Sequence, residues 1–132
     1  MVKAQINKPS LIIVDDEMNK FALAQLVEEL GLSFEIVFND TQAIDHLKRE
    51  DFEFVLIDIN TLSDNGVYFT RQIRSHSKQR ISDIPIIGIS SYYNKFIKSA
   101  FGAGMDIYLS RAIGLPKISK KIKKFLEQQS IN

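Results

Sequence analysis

Four short, almost continuously aliphatic runs constrain this chain most: LIIV (11–14), FEIVF (34–38), FVLIDI (54–59) and IPIIGIS (84–90). A fifth, weaker run is DIYLS (106–110). Strands this apolar are buried on both faces, which means a parallel sheet covered by helices rather than a half-solvated antiparallel one. The segments between them have helical spacing. Phe21, Leu23, Leu26, Val27 and Leu30 recur at three- and four-residue steps, and Gly31 follows as the expected C-cap. Asp40 or Thr41 is placed to cap a second helix through Ala43, Ile44 and Leu47. Val67, Phe69, Thr70, Ile73 and Arg74 suit a third, and Phe96, Ile97, Ala100 and Phe101 a fourth. Ile118, Ile122, Phe125 and Leu126 give the last helix its apolar stripe, with lysines opposite. Five alternations of strand and helix predict a doubly wound α/β domain of flavodoxin-like (βα)5 architecture, strand order 2-1-3-4-5.

Its 132 residues amount to a single domain. The expected core runs from about residue 10 to 126, behind a loose polar lead-in at 1–9. Lys and Arg number 17 against 16 Asp and Glu, so no global field points to nucleic acid or an anionic membrane. With no cysteine, disulfides and thiolate metal sites are excluded. No apolar run approaches the ~20 residues that span a bilayer, and MVKAQINKPS lacks a signal-like apolar stretch. The chain therefore reads as a soluble, cytoplasmic domain, without internal repeat or low-complexity segment.

Two strands end in acid: LIIV leads into Asp15-Asp16-Glu17, and FVLI into Asp58. In a doubly wound sheet, ligands bind beyond the carboxyl ends of the strands where the order reverses, here between the first and third strands. Carboxylates converging there repel unless a cation lies among them. A hard divalent ion with oxygen ligands, Mg2+ above all, fits such a site and keeps waters that a phosphate can replace. A lone Asp after a strand is more often a cap or turn residue; the paired acids at the predicted switch point favour a functional site. Run four brings Ser90 to the same edge, and run five is followed by Arg111. Singly these are a turn serine and a solvated arginine. Together with Asp58 they make a phosphoryl pocket, with Asp58 as nucleophile, Arg111 and the metal neutralising oxygens, and Ser90 hydrogen-bonding another.

LIIVDDE, FVLIDIN, PIIGISS and GMDIYLSR, in this order and spacing, resemble the receiver domains of two-component response regulators over nearly the whole chain, from about Ser10 to Leu126. The wording GMDIYLS and the third-helix RQIRS are most similar to receivers attached to hybrid sensor kinases. The resemblance implies that Asp58 accepts a phosphoryl group from a phosphohistidine with Mg2+ bound. It implies Asp16 and Asp58 as direct metal ligands, Asp15 acting mainly through water, and Asn60 contributing its backbone carbonyl. Ser90 stands at the switch hydroxyl and Tyr108 at the aromatic that changes rotamer with it. The implied partners are a sensor histidine kinase or histidine phosphotransfer protein and a downstream protein effector. That effector is read by the face built from the fourth helix, fifth strand and fifth helix. The expected state is a monomer or weak dimer, a signalling module rather than an enzyme acting on a separate substrate.

The chain departs from the family pattern in three places. Thr61-Leu62 replace the usual Met-Pro after the acceptor, which removes a fixed φ from that loop. Asp64-Asn65 replace a second Met and an Asp before the retained Gly66. Arg111-Ala112 replace Lys-Pro, and a planar guanidinium fork is not equivalent to an ammonium beside a phosphate. The alternative reading is a pseudo-receiver, an interaction module that works without phosphorylation. A third is a haloacid-dehalogenase-like phosphohydrolase, suggested by Asp58-Ile59-Asn60-Thr61-Leu62; Asn60 replaces the second Asp that such chemistry needs. His46 and His76 are expected to be solvated, and Lys117, Lys120, Lys121, Lys123 and Lys124 to form a solvated basic face. No helix-turn-helix or other motif points to direct nucleic-acid binding.

Overall fold

The chain is described from a computed structural model, which covers residues 8–13, 17–59, 65–90 and 97–131. Five strands, β1 (Ser10–Ile13), β2 (Phe34–Val37), β3 (Val55–Ile59), β4 (Ile86–Ser90) and β5 (Ile107–Ser110), form one sheet in the order β2-β1-β3-β4-β5. All pairings are parallel. Between and after them run α1 (Glu17–Glu29), α2 (Asp40–Arg49), α3 (Asn65–Arg74), α4 (Ile97–Ala103) and α5 (Leu115–Ile131). The predicted class, strand order and helix sequence are those observed. Phe96, expected in the fourth helix, lies outside the described residues.

Alternate strand residues feed two separate cores, as a sheet covered on both faces requires. Leu11, Val55, Ile57 and Ile86 cluster with Ala43 and Leu47 of α2, Phe69 and Ile73 of α3, and Ala100 and Ala103 of α4. Phe54, Leu56, Ile87 and Ile89 cluster with Leu23, Leu26 and Val27 of α1 and with Ile118 and Ile122 of α5. The central strands are closed from solvent: β4 is buried throughout, and so is β3 from Val55 to Asp58. Each fully buried Leu or Ile contributes about 1.5–3 kcal/mol of transfer free energy.

Local signals set the helix limits. Gly31, at φ +76°, turns the chain out of α1, and its N–H donates to the Glu28 carbonyl. The cap of α2 is Asn39, one residue before the expected Asp40 or Thr41. Its side chain accepts from Gln42 N–H at 2.9 Å, while Gln42 Oε1 accepts from Phe38 N–H at 3.1 Å. Asp40 and Thr41 are as suitable chemically, but Asn39 holds the extended backbone that a cap needs. A single helical turn at Gln79–Ser82, not anticipated from the sequence, lies between α3 and β4. Arg80 in this turn donates to the Leu47, Lys48 and Glu50 carbonyls, closing the carboxyl end of α2.

Arg74, the last residue of α3, ties together the amino edge of the sheet. Its guanidinium donates to the Gly104, Ser82 and Ile84 carbonyls and to Asp106 Oδ2, which also accepts Ile86 N–H at 2.8 Å. Gly104 has φ +114°, and a Cβ there would stand 2.7 Å from Arg74 Cγ. Glycine is required at this turn both for its backbone conformation and for the arginine that crosses it.

Candidate functional site

The opposite, carboxyl edge of the sheet carries Asp58, Ser90 and, directly after β5, Arg111. Register decides which of them meet. Ile59 pairs with Ser90 and Ser90 with Ser110, so β3, β4 and β5 end level with one another. Ile13 pairs with Ile57, so β1 runs parallel to β3 toward the same edge. Asp58, one residue short of the end of β3, is 5% exposed; Ser90, the last residue of β4, is fully buried. An aspartate this deep needs a compensating charge. The structure provides one: Arg111 Nη2 lies 3.4 Å from Asp58 Oδ1. That separation is long for a hydrogen bond, so the attraction is chiefly coulombic. The Arg111 side chain is 21% exposed against 3% for Asp58, so the cation reaches in from the rim.

The approach of Arg111 is fixed by its own turn. Arg111–Ile113 form a 3-10 turn whose cap, Ser110, accepts Ala112 N–H through its side chain at 3.1 Å. The turn closes where Gly114, at φ +90°, donates to the Arg111 carbonyl at 3.0 Å. Here the departure from Lys-Pro acquires a structural meaning, because proline has no N–H to give. In this chain a side-chain hydrogen bond to Ala112 replaces the stiffening a proline ring would supply. Sequence reading passed over Ser110, although a serine directly before a short helical turn is a recognisable cap signal. It placed Thr70 in the third helix but did not anticipate its buried hydroxyl, which donates to the Gly66 carbonyl at 2.8 Å and braces the first turn of α3.

Tyr108 pairs with Gly88 in the sheet, is partly buried, and packs against the α2–α4 core. Its ring stands 6.4 Å from that of Phe101 on α4, tilted by 48°. Phe101 is half exposed, so this aromatic pair reaches from the interior to the α4–β5 surface. Asp15, Asp16 and Asn60 lie outside the described residues, and among those described no three acidic, His or Cys side chains gather to hold a metal. The described part of the site is thus a buried carboxylate, a buried hydroxyl and a cation at one sheet edge. That combination suits an anionic transferred group that forms a bond to Asp58 and needs charge neutralised around it.

His46 is not simply solvated as expected. It bridges α2 and β2: Nδ1 lies 2.8 Å from the Gln42 carbonyl and Nε2 lies 3.0 Å from Glu35 Oε1. His76 accepts Lys78 N–H at Nδ1. Neither belongs to the site. Among the described residues, no helix is long and apolar enough to cross a membrane.

Comparison with known proteins bears on the fold and the family. The sensor protein ArcB of Escherichia coli is 26% identical over 120 residues, covering 90% of this chain, which spans 15% of ArcB's length. The receiver domain of sensor histidine kinase PA1611 from Pseudomonas aeruginosa, with magnesium coordinated in its active-site cleft, superposes with TM-score 0.72. It is 20% identical and covers 91% of this chain and 98% of its own. The co-crystal of Saccharomyces cerevisiae Ypd1, a histidine phosphotransfer protein, with the receiver domain of Ssk1 gives TM-score 0.72. Identity there is 22%, with coverage of 93% of this chain and 92% of that one. A family model also matches residues 11–123, nearly the whole chain, and it places this protein among the response regulator receiver domains.

Proposed function

We propose that this receiver domain takes part in a phosphorelay in which Asp58 is the phosphoacceptor. The observation that carries the reading is the carboxylate itself, buried at the carboxyl end of β3, on the sheet edge where β4 ends at Ser90, and balanced by Arg111. An Asp58 oxygen attacks the phosphorus of a phosphohistidine on a sensor histidine kinase or histidine phosphotransfer protein. The P–N bond breaks, the imidazole leaves with the electron pair and takes up a proton, and an aspartyl phosphate remains. Arg111 neutralises one phosphoryl oxygen and the Ser90 hydroxyl donates to another. Mg2+, held by Asp16, Asp58 and the Asn60 carbonyl with Asp15 acting through water, would neutralise further charge on the transferred group. The magnesium in the PA1611 receiver and the Ypd1–Ssk1 pairing support the cofactor and the partner class. Ser90 moving toward the phosphoryl group frees space beside Tyr108, and the α4–β5–α5 face then changes its affinity for a downstream protein.

Titration with Mg2+ and then with beryllofluoride, followed by NMR, tests this. The wild type is expected to show saturable shifts at Asp58, Ser90 and Arg111 that are absent in Asp58→Asn. A second reading, a phosphorylation-independent pseudo-receiver, is favoured by the Arg111–Asp58 ion pair, which gives the carboxylate a cation without metal. Identical silence in wild type and Asp58→Asn would select it. The family match favours either over a phosphohydrolase; turnover of p-nitrophenyl phosphate abolished by Asp58→Asn would reverse that preference.

A further inference from the structure

A groove of about 640 Å3 opens between α2 and α3, and none of the residues proposed for the phosphoacceptor site lines it. Ile44 and Lys48 come from α2, Tyr68, Arg71 and Gln72 from α3, and His76 from the segment that follows. No carboxylate lines it. Arg74, Arg80 and Arg111 each engage acceptors elsewhere in the protein, whereas the Arg71 and Lys48 side chains form no ion pair or hydrogen bond among the described residues. His76 accepts Lys78 N–H at Nδ1, which leaves its ring proton on Nε2 as a further donor. Tyr68 is 55% exposed, and its hydroxyl lies 3.5 Å from Gln72 Nε2.

The groove therefore joins unused donors to an exposed aromatic surface. Tyr and Arg are the residue types that dominate binding energy at protein interfaces, and a guanidinium fork matches a carboxylate in two-point geometry. We propose that the α2–α3 groove is a docking surface for a carboxylate-rich segment of a partner protein. Its carboxylates meet Arg71 and Lys48, and an apolar side chain of the segment lies on Tyr68 and Ile44. Charge complementarity selects this occupant. Two fixed cations, worth about 1 kcal/mol each near an anionic bilayer, are too few to hold a membrane. The proposal requires neither metal nor phosphoryl transfer, so it stands apart from the chemistry of Asp58.

The test uses the full chain labelled for NMR and a synthetic peptide of Glu and Leu, with its Lys-for-Glu counterpart, inorganic phosphate and phosphatidylserine vesicles as separate arms. Expected are saturable shifts at Lys48, Tyr68, Arg71 and Gln72 with the acidic peptide alone. Affinity should fall about tenfold in Lys48→Gln/Arg71→Gln and in Tyr68→Ala, and stay unchanged in Lys120→Gln/Lys124→Gln on α5. Shifts confined to the α5 lysines would overturn the proposal, as would equal affinity in the groove variants. So would stronger binding of phosphate or vesicles than of the peptide. Shift mapping on the wild type decides the location even if a groove variant fails to fold.

Discussion

Beside Asp58, the shape of the Arg111 cation governs what else can reach the carboxylate. A guanidinium at 3.4 Å occupies one oxygen from the rim, through a planar group bulkier than an ammonium. Replacing it with lysine keeps the charge and gives back room, so Arg111→Lys is expected to raise the apparent Mg2+ and beryllofluoride affinities, read from the same NMR titration. No change would mean that the fork leaves the metal ligands free. The pair also predicts opposite stability effects from its two halves. Arg111→Ala leaves a buried carboxylate without its cation and should cost about 1–3 kcal/mol in urea unfolding. Asp58→Asn removes the buried charge while the more exposed arginine turns to water, so stability should hold or rise. The sequence showed the residue types at both positions. It could not show their contact, which depends on β3, β4 and β5 ending level and on the Ser110-capped turn.

Among the elements, α2 shows how unevenly local signals translate into structure. Its apolar face was legible from Ala43, Ile44 and Leu47, because period and burial act together. Its ends were not, since three adjacent capping residues competed at the start and the far end is closed by Arg80, some thirty residues later. Asn39→Ala should lower stability by about 1 kcal/mol, the usual cost of a lost side-chain cap. The same helix carries a pH effect. Glu50, its C-cap, has its carboxyl pKa raised chiefly by a side-chain hydrogen bond with Glu35, then by burial and by the Glu35 charge, with His46 and Arg49 opposing. A raised folded-state pKa means that the native state binds more protons than the unfolded chain. Its contribution to stability is therefore largest at acidic pH and is lost as pH rises through the raised value. Glu50→Gln is expected to flatten the fall of the urea midpoint as pH rises through the raised value. An unchanged profile would show that the Glu35–Glu50 contact does not persist in solution.

Across the whole molecule, the two edges of the sheet carry different duties. At the amino edge Arg74 links the end of α3 to the segment at 82–84, the α4–β5 turn and, through Asp106, the start of β4. At the carboxyl edge the proposed chemistry needs Ser90 and Tyr108 to move. The five-strand architecture was readable because the central strands β3 and β4 are closed off by helices on both faces and so are nearly continuously apolar, while the half-buried edge strands keep enough apolar residues to show. The arginine clamps were not, because most of their acceptors are backbone carbonyls that leave no side-chain pattern. If the amino edge is the fixed frame against which the other edge switches, the two perturbations should separate. Gly104→Ala would need φ +114° and would bring a Cβ within 2.7 Å of Arg74 Cγ, so it should destabilise the fold by about 1–3 kcal/mol. Beryllofluoride should still bind, since Asp58 lies at the far end of β3. Ser90→Ala should do the reverse: stability nearly kept and the mimic bound, but the aromatic resonances of Tyr108 and Phe101 no longer shifted by it. If those resonances respond as in wild type without the Ser90 hydroxyl, coupling between Asp58 and the α4–β5 surface does not run through β4.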